Sequence, residues 1–340
     1  MHINRLSKIF YLVAITVITI AFCLFVTHTY FGEESIRPAQ NMLPPASHFL
    51  NDNATEFNLA IMSDTGSHNR VIERIIDAAQ ASDKNPEFIM YLGDLVSDRR
   101  PANFYWMFHE MGRHLNGIPF YMIPGNHDVE KRKNIDKRYY QAVVGQTYYW
   151  FGYGNTLFIA MDSSDKISEI QFEWLAETLE FIRPLFRNCI IFGHMPPKNV
   201  AGAEEHRMSD TDAAKFKSII RNHKIDALIF GHVHYFSADT FAGIPMYTTP
   251  SSGQTPRFTD LNKYGYIHLE MGKNGIKALE PRYVEFSGPK REYLEAWFVR
   301  YIYTNRLREI INILMITAGV FVLSGIISGT YARRKTSPQD

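Results

Sequence analysis

The sequence predicts an α/β domain with considerable antiparallel strand content, placed between two apolar terminal segments. From residue 57 onward, short β-like runs alternate with runs of helical spacing, which is typical of a layered α/β fold. Two strand-like runs, 148–151 and 156–161, flank Tyr153-Gly154-Asn155 and so predict a β-hairpin. Residues 9–26 and 310–331 carry no charged side chain. These observations together predict one folded domain over residues 57–300 and a helix at each end of the chain.

The two terminal segments predict transmembrane helices, at residues 9–28 and 309–331. Each approaches the length of roughly 20 residues that a helix needs to cross a bilayer. The first segment can also be interpreted as a cleaved signal peptide. Its apolar run is longer than the usual ~7–15 residues, and no small-x-small cleavage site follows it. A retained membrane anchor is therefore the favoured interpretation.

The charges that flank these segments indicate an orientation in the membrane. Arg5 and Lys8 precede the first span, while Glu33 and Glu34 follow it, which favours a cytoplasmic N-terminus. Two spans then return the C-terminus to the cytoplasm, so residues 1–8 and 332–340 are predicted cytoplasmic tails. Cations just before the second span, at 300, 306 and 308, weaken this argument. The domain is expected on the extracytoplasmic side, joined to its anchor by a linker at 29–56.

Composition limits the function classes. The chain has 340 residues and a net charge of +1, so no excess of basic side chains points to nucleic acid. The two cysteines, Cys23 and Cys189, lie in apolar runs and are interpreted as small hydrophobic residues, not as a disulfide. The sequence leaves the oligomeric state open.

The remaining elements follow in chain order from the hydrophobic spacing. The helix at 170–182 is predicted to bury one face that includes Ile170, Leu175 and Leu179. Strands are expected at 57–62, 87–92, 119–123, 148–151, 156–161, 189–192 and 227–230, with further strand-like runs over 244–285, and helices at 71–81, 104–115 and 170–182.

Five polar clusters follow five of the strand-like runs, where ligands gather in layered α/β folds. A single histidine after a strand is more often a structural residue, but five clusters in this order indicate a site. Asp, Asn and His side chains suit a pair of divalent transition-metal ions. The clusters are Ser63-Asp64-Thr65-Gly66, Gly93-Asp94, Gly125-Asn126-His127-Asp128, Gly193-His194-Met195-Pro196 and Gly231-His232-Val233-His234.

These clusters resemble the motifs of the calcineurin-like metallophosphoesterase superfamily, over about residues 57–285. The resemblance implies a four-layer α/β/β/α sandwich of two mixed sheets. It also implies two divalent transition-metal ions at one edge of the sheets, with manganese, iron and zinc all left open. Phosphate ester hydrolysis by metal-activated water, without a phosphoenzyme, is the activity that the resemblance implies.

The resemblance assigns roles to individual residues. Asp94 would bridge both metals, and His127 would contact the phosphate and protonate the leaving group. Asp128 would orient His127 by accepting its other N–H. The second metal position would be completed by Asn126, His194 and His232, and the first by Asp64 and His234.

The sequence departs from the superfamily at position 66, where Gly66 stands in place of a metal-binding histidine. Purple acid phosphatases also have Asp-x-Gly, but they add a tyrosine where this chain has Ser97. The site is therefore expected to lack their purple colour. Either the first metal position has only Asp64, Asp94 and His234 plus water, or His68 is an additional ligand.

The substrate stays open between a phosphodiester, slightly preferred, and a phosphomonoester. A membrane tether makes a lipid-linked or surface substrate one hypothesis. Cations between Lys131 and Arg138 either hold anionic head groups or are solvated. Glu204, Glu205 and His206 are interpreted as exposed polar residues. A different class is a metal-bound but inactive transmembrane sensing or scaffold module, which Gly66 favours and the His127–Asp128 pair disfavours.

Overall fold

The structure is a computed structural model, and it describes residues 5–30, 45, 48–51, 54–82, 84–97, 99–131, 134–200, 203, 205–256, 263–285 and 304–336. The chain divides into a unit formed by residues 1–35 and 297–340 and a second unit, residues 36–296. Most of the predicted linker at 29–56, residues 286–300 of the predicted domain, and residues 1–4 and 337–340 of the predicted tails lie outside the described residues. The elements in chain order are α1 (Arg5–Tyr30), β1 (Phe49–Leu50), β2 (Phe57–Met62), α2 (Asn69–Gln80), β3 (Phe88–Tyr91), α3 (Pro101–Gly112), β4 (Phe120–Met122), α4 (Asn126–Val129), β5 (Glu130–Lys131), β6 (Asn134–Ile135), α5 (Arg138–Val143), β7 (Tyr149–Tyr153), β8 (Thr156–Ala160), α6 (Glu169–Glu177), β9 (Asn188–Gly193), α7 (Asp210–Ile220), β10 (Ala227–Phe230), β11 (Ser237–Phe241), β12 (Ile244–Thr248), β13 (Lys263–Gly272), β14 (Gly275–Glu285) and α8 (Thr304–Thr336).

Two mixed sheets form the centre of the second unit. One has the order β1-β7-β8-β9-β10-β12-β11, and the other has the order β14-β13-β2-β3-β4. Strands β8, β9, β10 and β12 are parallel to one another, as are β2, β3 and β4. The hairpin partners β7–β8 and β13–β14 are antiparallel. Both sheets are therefore mixed, as the sequence predicted.

Three apolar cores separate four layers. Between the sheets, the rings of Phe88 and Phe158 lie 5.5 Å apart, edge to face, and both are buried. Helices α2 and α3 cover the outer face of the five-stranded sheet, and Ile72 and Phe104 belong to that core. Helices α6 and α7 cover the outer face of the seven-stranded sheet. The predicted four-layer α/β/β/α sandwich is confirmed.

The parallel strands bring their carboxyl ends to the edge where the polar clusters lie. Strands β2, β3 and β4 lead into Asp64, Asp94 and Asn126. Strands β9 and β10 lead into the histidine clusters. Strand β12 is parallel to β10, so the loop that follows it reaches the same edge. The directions of the parallel strands thus explain why six segments distant in sequence meet at one edge.

Local predictions differ from the structure in several places, and the helices α5 and α7 were not predicted. Residues 49–50, predicted as linker, form β1 on the edge of the seven-stranded sheet, where the Gly152 N–H donates to the His48 carbonyl at 2.7 Å. The predicted helix 170–182 is α-helical to Glu177 and continues as a π-helix over Thr178–Ile182, but Ile170 is 69% exposed instead of buried. Ile170 and the buried Leu175 are five residues apart and so lie on different sides of a 3.6-residue helix. Strand β11, whose side chains are mostly exposed, was not predicted from the sequence.

The first unit consists of α1 and α8, which pack against each other in antiparallel fashion. The Ser7 hydroxyl donates to the Gly325 carbonyl at 2.9 Å, and the rings of Phe10 and Phe321 lie 6.2 Å apart. A Cβ at position 325 would lie 3.0 Å from the Tyr11 ring, so this glycine allows the close approach. Within these helices, Arg5–Val26 and Glu309–Ser328 are long and apolar enough to span a membrane.

Candidate metal centre

The side chains predicted for the second metal position come together at the edge of the sheets. The Nε2 atom of His194 lies 3.1 Å from Asn126 Oδ1, 3.1 Å from His232 Nδ1 and 3.6 Å from Asp94 Oδ1. Ligand atoms of Asp94, His194 and His232 all lie within 4.8 Å of one another. We call Asp94, Asn126, His194 and His232 the second half of the site.

The arrangement of hydrogen-bond donors and acceptors in the second half favours a cation at its centre. His194 Nδ1 lies 2.7 Å from the Leu92 carbonyl, and this contact requires the ring proton on Nδ1. The lone pair of Nε2 therefore points at the oxygens of Asn126 and Asp94. Acceptor atoms that face each other in a buried place repel one another unless a positive charge lies between them. This donor set fits a divalent transition-metal ion.

The first half of the site consists of Asp64 and His234, again with Asp94. Asp64 Oδ1 lies 3.5 Å from His234 Nε2, and it is buried without a hydrogen-bond partner. The other oxygen, Oδ2, accepts the backbone N–H of His232 at 2.9 Å and the hydroxyl of Ser63. His234 Nδ1 lies 3.1 Å from the Thr255 carbonyl, so its Nε2 is turned toward Asp64. The unpartnered oxygen and the imidazole nitrogen again fit a metal ion.

The two oxygens of Asp94 have different neighbours. Oδ1 accepts the backbone N–H of His127 at 2.8 Å on the side of His194. Oδ2 lies 3.5 Å from the side-chain amide of Gln254 and 3.9 Å from His127 Nε2. The carboxylate is 1% exposed. This arrangement supports the predicted bridging role of Asp94.

Strained backbone holds four of these side chains in place. The φ angles of Asp64, Asp94, His232 and His234 lie between 59° and 68°, in the left-handed region. Gly125 permits the close approach of the loops after β3 and β4, because a Cβ there would lie 2.2 Å from Asp94 Oδ1. The loops thus direct these side chains toward one point, and the left-handed backbone conformation that does so costs free energy.

The electrostatics of the two halves differ. Burial holds the pKa of His232 well below its usual value, which keeps its imidazole neutral. Burial alone would lower the pKa of His234, but the neighbouring Asp64 outweighs burial and raises it. Burial likewise raises the pKa of Asp64, yet His234 outweighs it, and the pKa lies below its usual range. The first half therefore attracts positive charge between Asp64 and His234.

His127 and Asp128 occupy different environments. The side chain of His127 is 46% exposed at the mouth of the site. Asp128 is buried, and its carboxylate accepts the backbone N–H groups of Asp94 and Gly125, both at 2.8 Å, and of Val96 at 3.1 Å. Burial and the nearby Asp94 charge raise the pKa of Asp128 to about 7. Asp128 thus holds the loop backbone that carries Asp94, and the predicted hydrogen bond from the His127 ring to Asp128 stays a prediction.

His206 corrects the interpretation of its loop as merely exposed and polar. Its Nδ1 lies 3.2 Å from His232 Nε2, and the two ring centroids are 5.1 Å apart. A metal ion held by His232 Nδ1 would leave the ring proton on Nε2, from which it can be donated to His206 Nδ1. No spacing rule in the sequence marks residue 206, since it lies in a loop far from any strand end.

Two further residues singled out in the sequence lie beside the centre. His68 Nδ1 is 3.2 Å from the Thr65 carbonyl, within its own turn, and a ligand role for His68 stays a prediction. The Ser97 N–H donates to the Ser67 hydroxyl at 3.0 Å. Neither residue belongs to the cluster of Asp94, His194 and His232 found among the described residues.

Two cations of the loop after the Asn-His-Asp cluster form ion pairs with carboxylates of the protein. Lys137 pairs with the buried Asp162 at 2.7 Å, and Arg138 pairs with Asp136 at 2.9 Å. These two cations are therefore held by the protein itself. Residues 132 and 133 lie outside the described residues, as does the side chain of Lys131.

Comparison with known proteins agrees with this geometry. A family model described as calcineurin-like phosphoesterase matches residues 57–236, more than half of the chain. A probable cyclic nucleotide phosphodiesterase of Psychrobacter sp. (strain PRwf-1) is 26% identical over 226 residues, which cover 60% of this chain and 65% of that protein. A probable glycerophosphodiester phosphodiesterase of Arcobacter nitrofigilis is 26% identical over 185 residues, which cover 49% of this chain and 63% of that protein. The chain thus spans less than two thirds of the length of these two relatives.

Solved structures show the same fold. A purple acid phosphatase from yellow lupin superposes with a TM-score of 0.56 at 14% identity, covering 70% of this chain and 53% of that chain. A dimetal phosphatase from Danio rerio gives 0.53 at 13% identity, covering 69% and 100%. At these identities the likeness concerns the arrangement of strands and helices.

Proposed function

Because the chain belongs to the calcineurin-like phosphoesterase family, we propose that it hydrolyses a phosphodiester at a two-metal centre, with its catalytic domain held at a membrane by the terminal helices. One observation carries the proposal. Ligand atoms of Asp94, His194 and His232 lie within 4.8 Å of one another, Asp64 and His234 form a second pair 3.5 Å apart, and a half-exposed His127 lies beside Asp94. A site of this kind offers both ligands for metal ions and a group that can transfer a proton.

Asp94, Asn126, His194 and His232 would hold one metal ion, and Asp64, Asp94 and His234 the other. Two such ions supply an activated water molecule and positive charge that offsets the charge developing on the phosphoryl oxygens. Manganese, iron and zinc all suit this donor set, and we propose no preference among them.

His127 is the proposed general acid. Its ring lies at the open side of the site, where a leaving-group oxygen can approach, and a proton on Nε2 can be donated to that oxygen. The backbone N–H of His127 donates to Asp94 Oδ1, which fixes the position of the main chain. Asp128 acts on the same loops by holding the amides of Asp94 and Gly125. We therefore propose Asp128 as a positioning residue for Asp94.

The preference for a diester rests on the relatives, because both are named as probable phosphodiesterases. A monoesterase is the alternative that remains within the same chemistry. The half-exposed His127 serves either reaction, since both release an alkoxide or phenoxide oxygen that needs a proton.

We propose that α1 and α8 lie in the membrane and that the catalytic unit is extracytoplasmic, with both termini cytoplasmic. Large apolar side chains such as Leu12 and Ile316 are 65% and 70% exposed, which suits contact with lipid. The flanking charges Arg5 and Lys8 support the orientation. Reporter fusions at each terminus test it, and an extracytoplasmic signal at either end would contradict it.

The membrane tether suggests a lipid-linked substrate. Detergent-solubilised protein, assayed with phospholipids and polyprenyl phosphates beside soluble nucleotides, tests this part of the proposal. Rapid cleavage of nucleotides with no cleavage of any lipid would reject the lipid-linked substrate while leaving the phosphodiesterase activity intact.

The central experiment is hydrolysis of bis-p-nitrophenyl phosphate by the full-length, manganese-loaded protein. We expect turnover that Asp94→Asn removes and that His127→Ala lowers. A protein that binds two metal ions yet never turns over this diester, with manganese, zinc or iron, would favour the sensing or scaffold role instead.

A further inference from the structure

We propose that Gln254 completes the first half of the metal centre, in the ligand position that Gly66 leaves open. The inference rests on the proposed two-metal function and adds a residue to it. Gln254 lies in the loop after β12, outside all five polar clusters of the sequence. Its side chain nevertheless reaches the centre of the site.

Gln254 fills the space that a side chain at position 66 would need. A Cβ built on Gly66 would lie 2.7 Å from Gln254 Cγ, 2.9 Å from Nε2 and 3.0 Å from Cδ. Real Cβ atoms do not approach other atoms this closely. A histidine at position 66 and the present conformation of Gln254 therefore exclude each other.

The carboxamide of Gln254 points at the bridging carboxylate. Its terminal Nε2 lies 3.5 Å from Asp94 Oδ2, the oxygen on the side away from His194. Gln254 is only 8% exposed, so its polar group is buried within the site. Asp94 Oδ1 serves the second half, and Oδ2 with Gln254 serves the first.

The loop of Gln254 is fastened to the turn that carries Asp64. The Gln254 N–H donates to the Asp64 carbonyl at 2.8 Å, and the Ser252 N–H donates to the Ser63 carbonyl at 2.8 Å. The next residue, Thr255, accepts from His234 through its carbonyl at 3.1 Å. Gln254 is thus held against both of the other side chains of the first half. Such pre-organisation is what a metal ligand requires.

The chemistry of a carboxamide suits this position. Rotation of the amide plane by 180° exchanges Nε2 and Oε1, which have nearly the same size and shape. With Oε1 turned inward, Gln254 offers a neutral oxygen donor, as Asn126 does in the second half. A neutral amide in place of a neutral imidazole leaves the net charge of the first half unchanged.

Metal content tests this assignment without reference to activity. The full-length protein is titrated with manganese and measured by elemental analysis and calorimetry, beside Gln254→Ala, Gln254→Glu and the exposed control Gln146→Ala. We expect the parent, the control and Gln254→Glu to bind two manganese ions, because glutamate retains an oxygen donor. In Gln254→Ala we expect the weaker site to lose at least about tenfold in affinity. Electron paramagnetic resonance should then show isolated Mn²⁺ where the parent shows a spin-coupled pair.

The results separate this inference from the proposed function. Two manganese ions bound by Gln254→Ala with parental affinity would overturn the ligand role of Gln254 and leave the two-metal site standing. A parent that binds fewer than two metal ions would overturn both.

A suppressor variant provides an independent check. Gly66→His added to Gln254→Ala places an imidazole in the vacated space, and histidine tolerates the left-handed φ of 55° at position 66 better than most residues. We expect the double variant to recover the second manganese ion that Gln254→Ala loses. Failure to recover it in a protein with parental circular dichroism would contradict a shared ligand position.

Discussion

The two halves of the metal centre are built differently. In the second half, Asn126, His194 and His232 come from three strand ends, and their ligand atoms meet at His194 Nε2 within 3.1 Å. In the first half, Asp64 and His234 are 3.5 Å apart, and Gly66 contributes no side chain. The second half is complete within the sequence motifs, whereas the first depends on a residue outside them. In the proposed arrangement, a donor from a neighbouring loop occupies the position that Gly66 leaves open.

The halves also differ in how their ligands are supported. His232 has a second histidine, His206, against its outer nitrogen. Asp64 is supported by the Ser63 hydroxyl and by the backbone of His232. Because His232 contributes its ring to one half and its N–H to the other, a change at this loop affects both. The expected effect of a substitution on metal binding therefore depends on whether it touches one half, both halves or neither.

The largest effect is expected where the halves share a ligand. Asp94→Asn removes the charge that both metal ions need, so we expect both to bind more weakly and kcat/KM to fall by about 10³-fold or more. Asp64→Asn should weaken only the first metal ion. Calorimetric titration with manganese distinguishes the two variants. Equal loss of one metal ion in each would mean that Asp94 does not bridge the halves.

A smaller effect is expected at His127, which belongs to neither half. His127→Ala should lower kcat by about 10²–10⁴-fold with two metal ions still bound, because proton donation is lost and no metal ligand is removed. The loss should be greater for a dialkyl phosphodiester, whose alkoxide leaving group needs a proton, than for release of p-nitrophenolate, which needs little protonation. The same loss for both leaving groups would argue against a general-acid role.

The smallest effect is expected at His206, through the ring of His232. His206→Ala removes the acceptor for His232 Nε2–H, and outer partners of this kind typically change metal affinity by about 10–100-fold. We expect about tenfold weaker binding of one metal ion, with recovery in His206→Asn, whose amide oxygen can accept the same proton. An unchanged affinity in His206→Ala would place His206 outside the metal centre.

The sequence predicted the part of this site that strand direction controls. Asp94 and His194 each follow a buried apolar run, and parallel strands must bring such positions to one edge. Gln254 and His206 escaped prediction because they enter from loops, where no periodicity relates sequence to position. Gln254 did have one available signal, since it follows β12, which runs parallel to β10. Gly66 gave a different signal, because the metal-binding histidine expected there is missing. In the structure, the side chain of Gln254 fills the space that a side chain at position 66 would need.

The same limits apply to the fold. The hairpin of β7 and β8 followed from alternation and its turn, and both are local properties. Ile170 was assigned to the buried face because it is apolar, yet the direction of the face was set by Phe172 and Leu175. Strand β1 was hidden in a segment rich in turn-forming residues, since a two-residue edge strand obtains its hydrogen bonds from a partner, β7, far along the chain. Contacts between distant segments are what a single sequence leaves undetermined.

Selection for stability alone would act against this metal centre at four positions. Asp64, Asp94, His232 and His234 adopt backbone angles that glycine reaches without cost and that other residues reach at about 1–2 kcal/mol. The substitution that relaxes the chain at each position is also the one that deletes a ligand. A laboratory lineage propagated only for heat resistance, with no demand for metal, should drift toward glycine at these sites. Retention of the ligands in such a lineage would indicate that the free energy of metal binding offsets the conformational cost.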